Sequence, residues 1–358
     1  MHPDIAVVGG GIIGTAVARE VARTGSRVVL LERGDVGREA SWAAAGLLTP
    51  IHIADYPAPL ADLCVRAAGL WPAFAADLHD VEFRTNGVLM LARDEIDRQA
   101  INAISAFRRT HGQPVEPVDV PRELESVLDP ALRGGLLIPG IAQVRNNRVP
   151  RALAESAAKL GVDVRPNCEV TGFMRVPGRI TGVKTSRGDV IARETIVCSG
   201  AWGADLLETV GVRVDLHPVR GQIVLLDGPP DLVRRVFLWG DRYVVPRADG
   251  RLLVGTTMEE SGFDKRTTAA GVAAILARAI EVAPGLAGLP VITSWAGLRP
   301  ATRDRLPYIG RPPGLDGLVL ATGMYRNGVL LAPLIARLVC ELLAGSPSLD
   351  LGPFRVER

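Results

Sequence analysis

Lysine is nearly missing from this 358-residue chain, where Lys159, Lys184 and Lys265 are the only lysines among 41 basic residues. That leaves few candidates for Schiff-base chemistry. Cysteine is scarce too: Cys64, Cys168, Cys198 and Cys340 lie far apart and form no CxxC or Cys/His spacing. They read as small buried hydrophobes in a reducing compartment, and no metal site is expected. No uncharged apolar run reaches the roughly 18 residues of a membrane-crossing helix. The first hydrophobic stretch starts four residues in and carries glycines at fixed spacing, so it reads as an opening strand and not as a signal peptide. The expected setting is the cytoplasm, with no membrane partner. Dense basic runs are also lacking, and a net charge of +2 gives no electrostatic footprint for nucleic acid. His2, His52, His79, His111 and His217 sit in separate segments, each expected as a surface or core residue. There is no Ser/His/Asp set, no metal-spaced His pair and no P-loop.

What is present describes a folded globule: 47% hydrophobic and 22% charged residues, over a length that calls for two domains or one large α/β unit. The opening reads strand 5–8, glycine turn 9–14, helix to about 24 and strand 28–31, a single βαβ unit with Gly25 closing the helix. The small Gly/Ala-rich stretch 41–49 suits backbone packed closely against a ligand. Between about 60 and 136 the pattern predicts helices, one of them at 95–110, and a strand at 87–91, with Pro114, Pro117, Pro121 and Pro130 as loop signals. A helix at 150–160, a strand at 162–165, a hairpin-like stretch at 170–191 and a strand at 195–198 resume the α/β pattern. Antiparallel strands follow at 214–226, 235–246 and 252–257, the last two joined across Asp249-Gly250. A helix at 269–282, a strand near 292–295, a strand at 318–321 and a helix at 328–343 complete the chain. The first domain is therefore interrupted by an insertion.

The turn Gly9-Gly10-Gly11-Ile12-Ile13-Gly14 is a GxGxxG that follows a strand and opens a helix. Gly9 permits the tight turn, Gly11 lets backbone approach a pyrophosphate, and Gly14 lets the helix sit close to the sheet. The helix N-terminus presents free N–H groups to phosphate, and Glu32, ending the second strand, is placed to hold a ribose hydroxyl. The pattern specifies a dinucleotide. A nicotinamide enzyme would continue with regular βαβ units, whereas this chain leaves them near residue 50 and returns near 150, which suits FAD better.

Six stretches, VVGGGIIG (7–14), SWAAAGLL (41–48), CSGAWG (198–203), YVVP (243–246), WAGLRPATRDRLPYIG (295–310) and YRNGVLLAP (325–333), occur in an order that resembles the D-amino acid oxidase superfamily, and within it the glycine oxidases of thiamin synthesis. The resemblance implies an FAD-binding Rossmann-like domain (1–50, 140–210 and 295–358), interrupted by an α+β substrate domain with a mainly antiparallel sheet (51–139 and 211–294). It implies that Ile12, Ile13, Glu32, Arg33, Ala40, Ser41, Ala45, Gly46, Leu47 and Val170 line FAD. The stretch Met324, Tyr325, Arg326, Asn327, Gly328, Val329 and Leu330 would pass the isoalloxazine, and Arg299, Arg326 and Tyr243 would meet the substrate. Where the family pattern has His before the flavin-side Arg and before the Tyr, this chain has Met324 and Asp241. Thr302 and Arg303 stand where some relatives attach the flavin through Cys, which implies noncovalent FAD. A homotetramer is also implied.

Arg299, in an expected loop Gly297-Leu298-Arg299-Pro300, could grip a carboxylate bidentately, or form an ion pair with Asp304 or another neighbour. Tyr243 could bond the carboxylate through its phenol, cap the same pocket, or serve as strand core. The N-terminus of the last helix could stabilise negative charge on a reduced flavin edge, or simply cap an amphipathic helix. The implied reaction uses no protein acid, base or nucleophile. A neutral amine loses hydride from its α-carbon to the flavin, and dioxygen then yields hydrogen peroxide. The substrate would be glycine, sarcosine or D-alanine. The readings left open are a D-amino acid or N-methyl amino acid dehydrogenase with another acceptor, a flavoprotein subunit of a larger complex, and a nicotinamide dehydrogenase.

Overall fold

The computed structural model describes residues 2–50 and 53–358, so His52 lies outside the described residues. Strands Ile5–Val8, Val28–Leu31, Glu194–Val197 and Leu318–Thr322 are short runs rich in β-branched and aliphatic residues, almost wholly buried. Such runs suit a sheet covered on both faces. They form the centre of a six-stranded sheet in the order Tyr308–Gly310, Leu318–Thr322, Glu194–Val197, Ile5–Val8, Val28–Leu31, Asp163–Arg165. All neighbours are parallel except the edge strand Tyr308–Gly310.

Alternation along each strand divides the core. Ile5, Val7, Val28 and Leu30 face helices Ile12–Arg23, Ala58–Ala76, Val149–Lys159 and Gly328–Leu343. Ala6, Val8, Val29 and Leu31 face a three-stranded sheet formed by Val170–Val176, Arg179–Thr185 and Val190–Ile191. Helix Ala58–Ala76 thus packs on the parallel sheet's side of the molecule, with Trp71 donating its indole N–H to the Leu330 carbonyl at 2.9 Å.

An eight-stranded sheet forms the second layer system, in the order Val291–Ala301, His217–Leu226, Leu252–Gly255, Arg242–Pro246, Val236–Trp239, Val88–Leu91, Gly135–Ile138, Glu116–Val118. It is antiparallel apart from the pairing of Val236–Trp239 with Val88–Leu91. Helix Ala269–Val282 covers one face. Helix Glu95–Thr110 packs on the other, where Ile223 and Tyr243 also lie against Ala45 and Leu47.

Arg299 corrects one expectation. Its stretch is not a loop but the continuation of strand Val291–Ala301, with Arg299 opposite Val219 and Pro300 opposite Pro218. The extended geometry that Pro300 imposes on Arg299 is strand geometry, and a proline without an N–H is tolerated here because this strand is the sheet's edge. No helix among the described residues is long and apolar enough to cross a membrane.

Candidate active site

The parallel strands end at one elongated cavity. Val8-Gly9, Leu31-Glu32, Cys198 and Ala321-Thr322-Gly323 all border it, so four adjacent strand ends converge there, as ligand sites in open α/β sheets do. Its empty space, open mouth included, is about 1810 Å³. The far wall is the inner face of the eight-stranded sheet, through Gly221, Ile223, Tyr243, Thr256, Gly297 and Arg299.

At the sheet end the glycine turn acts through what it omits. A Cβ on Gly14 would stand 1.9 Å from the Gly9 carbonyl oxygen, so only glycine lets helix Ile12–Arg23 approach this closely. Gly11, the N-cap, has no capping side chain and borders the cavity, which leaves N–H groups of the first turn available to an anion. Ser41 Oγ accepts from Ile12 N at 2.9 Å and ties the 41–47 stretch to that turn. The Glu32 carboxylate accepts from Gly10 N (2.6 Å) and Gly34 N (2.9 Å), which fixes its direction while unused lone pairs remain for a hydroxyl. Arg33 lies 3.9 Å from the Trp202 ring centroid and bonds Glu39 at 2.9 Å.

Ala40, Ser41, Ala45, Gly46 and Leu47 form the middle wall, braced from behind by Arg247. This buried guanidinium donates to Ala45 O (2.9 Å), Val144 O (2.9 Å), Gln143 Oε1 (3.1 Å) and Asn146 Oδ1 (3.0 Å). Asn146 in turn donates to the carbonyls of Ser41 and Trp42. Burial brings the Arg247 pKa down to about 10, so the group is still charged at neutral pH. Arg247→Met would strand four acceptors in a dry interior, with an expected loss of about 3 kcal/mol. The measurement is the denaturant midpoint of the holoprotein, which should fall at unchanged m-value.

At the other end stand Arg299, Tyr243 and Arg326. Arg299 donates to Thr256 Oγ1 (2.9 Å), Thr257 O (3.2 Å) and Arg220 O (3.4 Å). All three acceptors are uncharged, and Asp304 bonds Arg358 instead, so Arg299 makes no ion pair among the described residues. Burial draws the Arg299 pKa below the ordinary arginine value. Two glycines make room here: a Cβ on Gly221 would lie 2.2 Å from Arg299 Nη2, and one on Gly255 would lie 2.7 Å from the Tyr243 ring. Burial pushes the Tyr243 phenol up, against the pull of Arg299 and Arg326, so it keeps its proton and can donate.

Arg326 bonds Asp241 Oδ1 through Nη1 at 2.6 Å, while its Nη2 is buried with no hydrogen-bond partner among the described residues. Burial opposes its charge, but the Asp241 bond and charge outweigh that and hold its pKa above the ordinary value. Tyr325, at φ +45°, and its N–H bond to Pro300 O (2.9 Å) set the turn that presents Arg326. Asn327 then begins helix Gly328–Leu343 without a side-chain cap, so the positive end of that helix faces the cavity.

The cavity wall includes Gly9, Gly11, Ile12, Ile13, Glu32, Arg33, Val170, Met324, Tyr325, Asn327, Gly328 and Val329, together with the substrate-side trio. Gly14 and Leu330 stand behind it. Sequence reasoning left out Tyr56, Glu39, Thr256 and the segment Ser199-Gly200-Ala201-Trp202, all of which border the space. The position of that segment after a strand neighbouring Ile5–Val8 was the available signal.

Known proteins agree with this architecture. The family model described as "DAO: FAD dependent oxidoreductase" matches residues 4–342. Glycine oxidase of Pseudomonas putida is 36% identical, over 100% of this chain and 99% of that protein. A relative called bifunctional protein ThiO/ThiG, from Trichormus variabilis, is 32% identical over 97% of this chain but only 54% of its own length. The crystal structure of glycine oxidase from Geobacillus kaustophilus superimposes with a TM-score of 0.94 at 34% identity, covering 100% of this chain and 99% of that one.

Proposed function

Since the chain belongs to the DAO family of FAD-dependent oxidoreductases, we propose that it deaminates glycine or a similarly small amino acid, such as sarcosine or D-alanine, with release of hydrogen peroxide. FAD, when bound, supplies the two-electron acceptor for the substrate's α-hydride. The cradle fits that cofactor: an uncapped helix N-terminus at Gly11, a carboxylate fixed at Glu32, and a second helix N-terminus at Gly328 on the same cavity. We assign to the FAD-binding part the parallel sheet with its helices, which takes Ala58–Ala76 out of the 51–139 stretch expected for the substrate part, and to the substrate part the eight-stranded sheet, whose edge strand Val291–Ala301 takes 295–301 out of the stretch expected for FAD.

The observation that carries the reading is Arg299, a guanidinium at the cavity wall bonded, among the described residues, to neutral acceptors alone. It would take the substrate carboxylate, and Tyr243 would add a phenolic donor. Held there, the α-carbon is oriented and water is displaced from the reacting face. No side chain is needed as a base when the amine binds neutral. In the same reading the protein works in the cytoplasm, FAD is noncovalent, and the imine product feeds thiamin thiazole synthesis; the ThiO/ThiG relative supports the last step.

The test is an absorbance spectrum of the purified protein, followed by anaerobic glycine and then air. Bound flavin should bleach on glycine addition and recover in air with peroxide. Flavin that stays oxidised removes glycine as substrate, and bleaching without peroxide on readmitting air removes the oxidase assignment.

A further inference from the structure

Asp241 occupies the turn between strands Val236–Trp239 and Arg242–Pro246, two residues ahead of Tyr243. Its ion pair with Arg326 makes the two cavity arginines inequivalent. Arg326 has a carboxylate 2.6 Å from Nη1, whereas the bonds of Arg299 all go to neutral oxygens. One carboxylate on a small molecule is satisfied at Arg299. A second one on the same molecule could meet Arg326 at the Nη2 left without a partner among the described residues, but the charge of that guanidinium is already met by Asp241 at Nη1, and the newcomer would lie beside that like charge, which disfavours it.

We infer that Asp241 is a specificity residue, admitting amino acids with one carboxylate and turning away those with two. The inference rests on the reading of Arg299 as carboxylate anchor. Asp241 acts through Arg326 by occupying its charge, so removing the Asp241 charge should release Arg326 to a second carboxylate while leaving in place the hydrogen bonds that hold Arg299.

Oxidised, FAD-loaded protein is titrated with acetate and with malonate while the flavin absorbance is followed; neither anion has an amine to oxidise. The parent should bind acetate at least about tenfold more tightly than malonate. In Asp241→Asn, malonate should gain about tenfold or more while acetate changes by less than about threefold. Asp241→Glu should keep the parent's order. A parent that prefers malonate, or an Asp241→Asn ratio unchanged from the parent, overturns the inference. If Asp241→Asn fails to hold FAD, the parent's own ratio still decides. Because no turnover is involved, failure of glycine to reduce the flavin leaves the anion ratio readable, so the two readings fail separately.

Discussion

Arg299→Met should lower kcat/KM for the amino acid by between about a hundredfold and a few thousandfold while the flavin stays bound. Removing one partner of a desolvated charge pair costs roughly 3–5 kcal/mol, and each 1.4 kcal/mol is a factor of ten. The effect should be confined to substrate, because among the described residues Arg299 reaches only Arg220, Thr256 and Thr257 through hydrogen bonds, and none of these belongs to the glycine turn or the 41–47 stretch. Arg299→Lys retains the charge but loses the fork. A lysine cannot satisfy Thr256 and still offer two parallel donors, so a loss of about tenfold is expected. Anaerobic stopped-flow reduction separates substrate dissociation from the rate of flavin bleaching, and the oxidised spectrum reports FAD retention. A methionine variant within threefold of the parent would remove Arg299 from the site.

Much of the scaffold is legible because local chemistry and tertiary packing agree. Helices Glu95–Thr110 and Ala269–Val282 begin where Asp94 and Thr268 accept from Asp97 N and Gly271 N, so the helix starts are written in capping residues. The Asp249-Gly250 hairpin and the glycine turn are similarly local. The strand through Arg299 is not: Gly297 and Pro300 look like loop residues, and only the pairing with His217–Leu226 makes them sheet. The same holds for Gly221 and Gly255, whose missing side chains admit Arg299 and Tyr243 from other strands. Arg247 is invisible in sequence for the same reason. Its four acceptors lie about a hundred residues away or more, and nothing near it in the chain announces them. Positions that need one neighbour in sequence can be read, whereas positions that need several segments at once cannot.

Gly14→Ala should give a protein that purifies without yellow colour and does not recover it with added FAD. The new Cβ would meet the Gly9 carbonyl at 1.9 Å, and this is backbone, so no side chain can rotate away. Helix Ile12–Arg23 would have to lift from strand Ile5–Val8, carrying the Gly11 N-cap and the Ile12 N–H that Ser41 holds out of register with Glu32. Overpacking of this kind costs roughly 1–3 kcal/mol in stability, but the cofactor feels the displacement more sharply, because phosphate recognition depends on N–H groups aimed at one point. A ligand at a hundred times its Kd stabilises a fold by about 2.7 kcal/mol. The parent apoprotein should therefore show a clear rise in Tm on adding FAD, and Gly14→Ala should show almost none. Gly69→Ala is the matched control. Gly69 lies inside helix Ala58–Ala76, a Cβ there would meet nothing within 4 Å, and alanine should stabilise the helix by about 0.5–1 kcal/mol. If Gly14→Ala binds FAD as the parent does, the close approach of helix and strand is not what builds the phosphate site, and the burden shifts to Glu32 and the 41–47 wall.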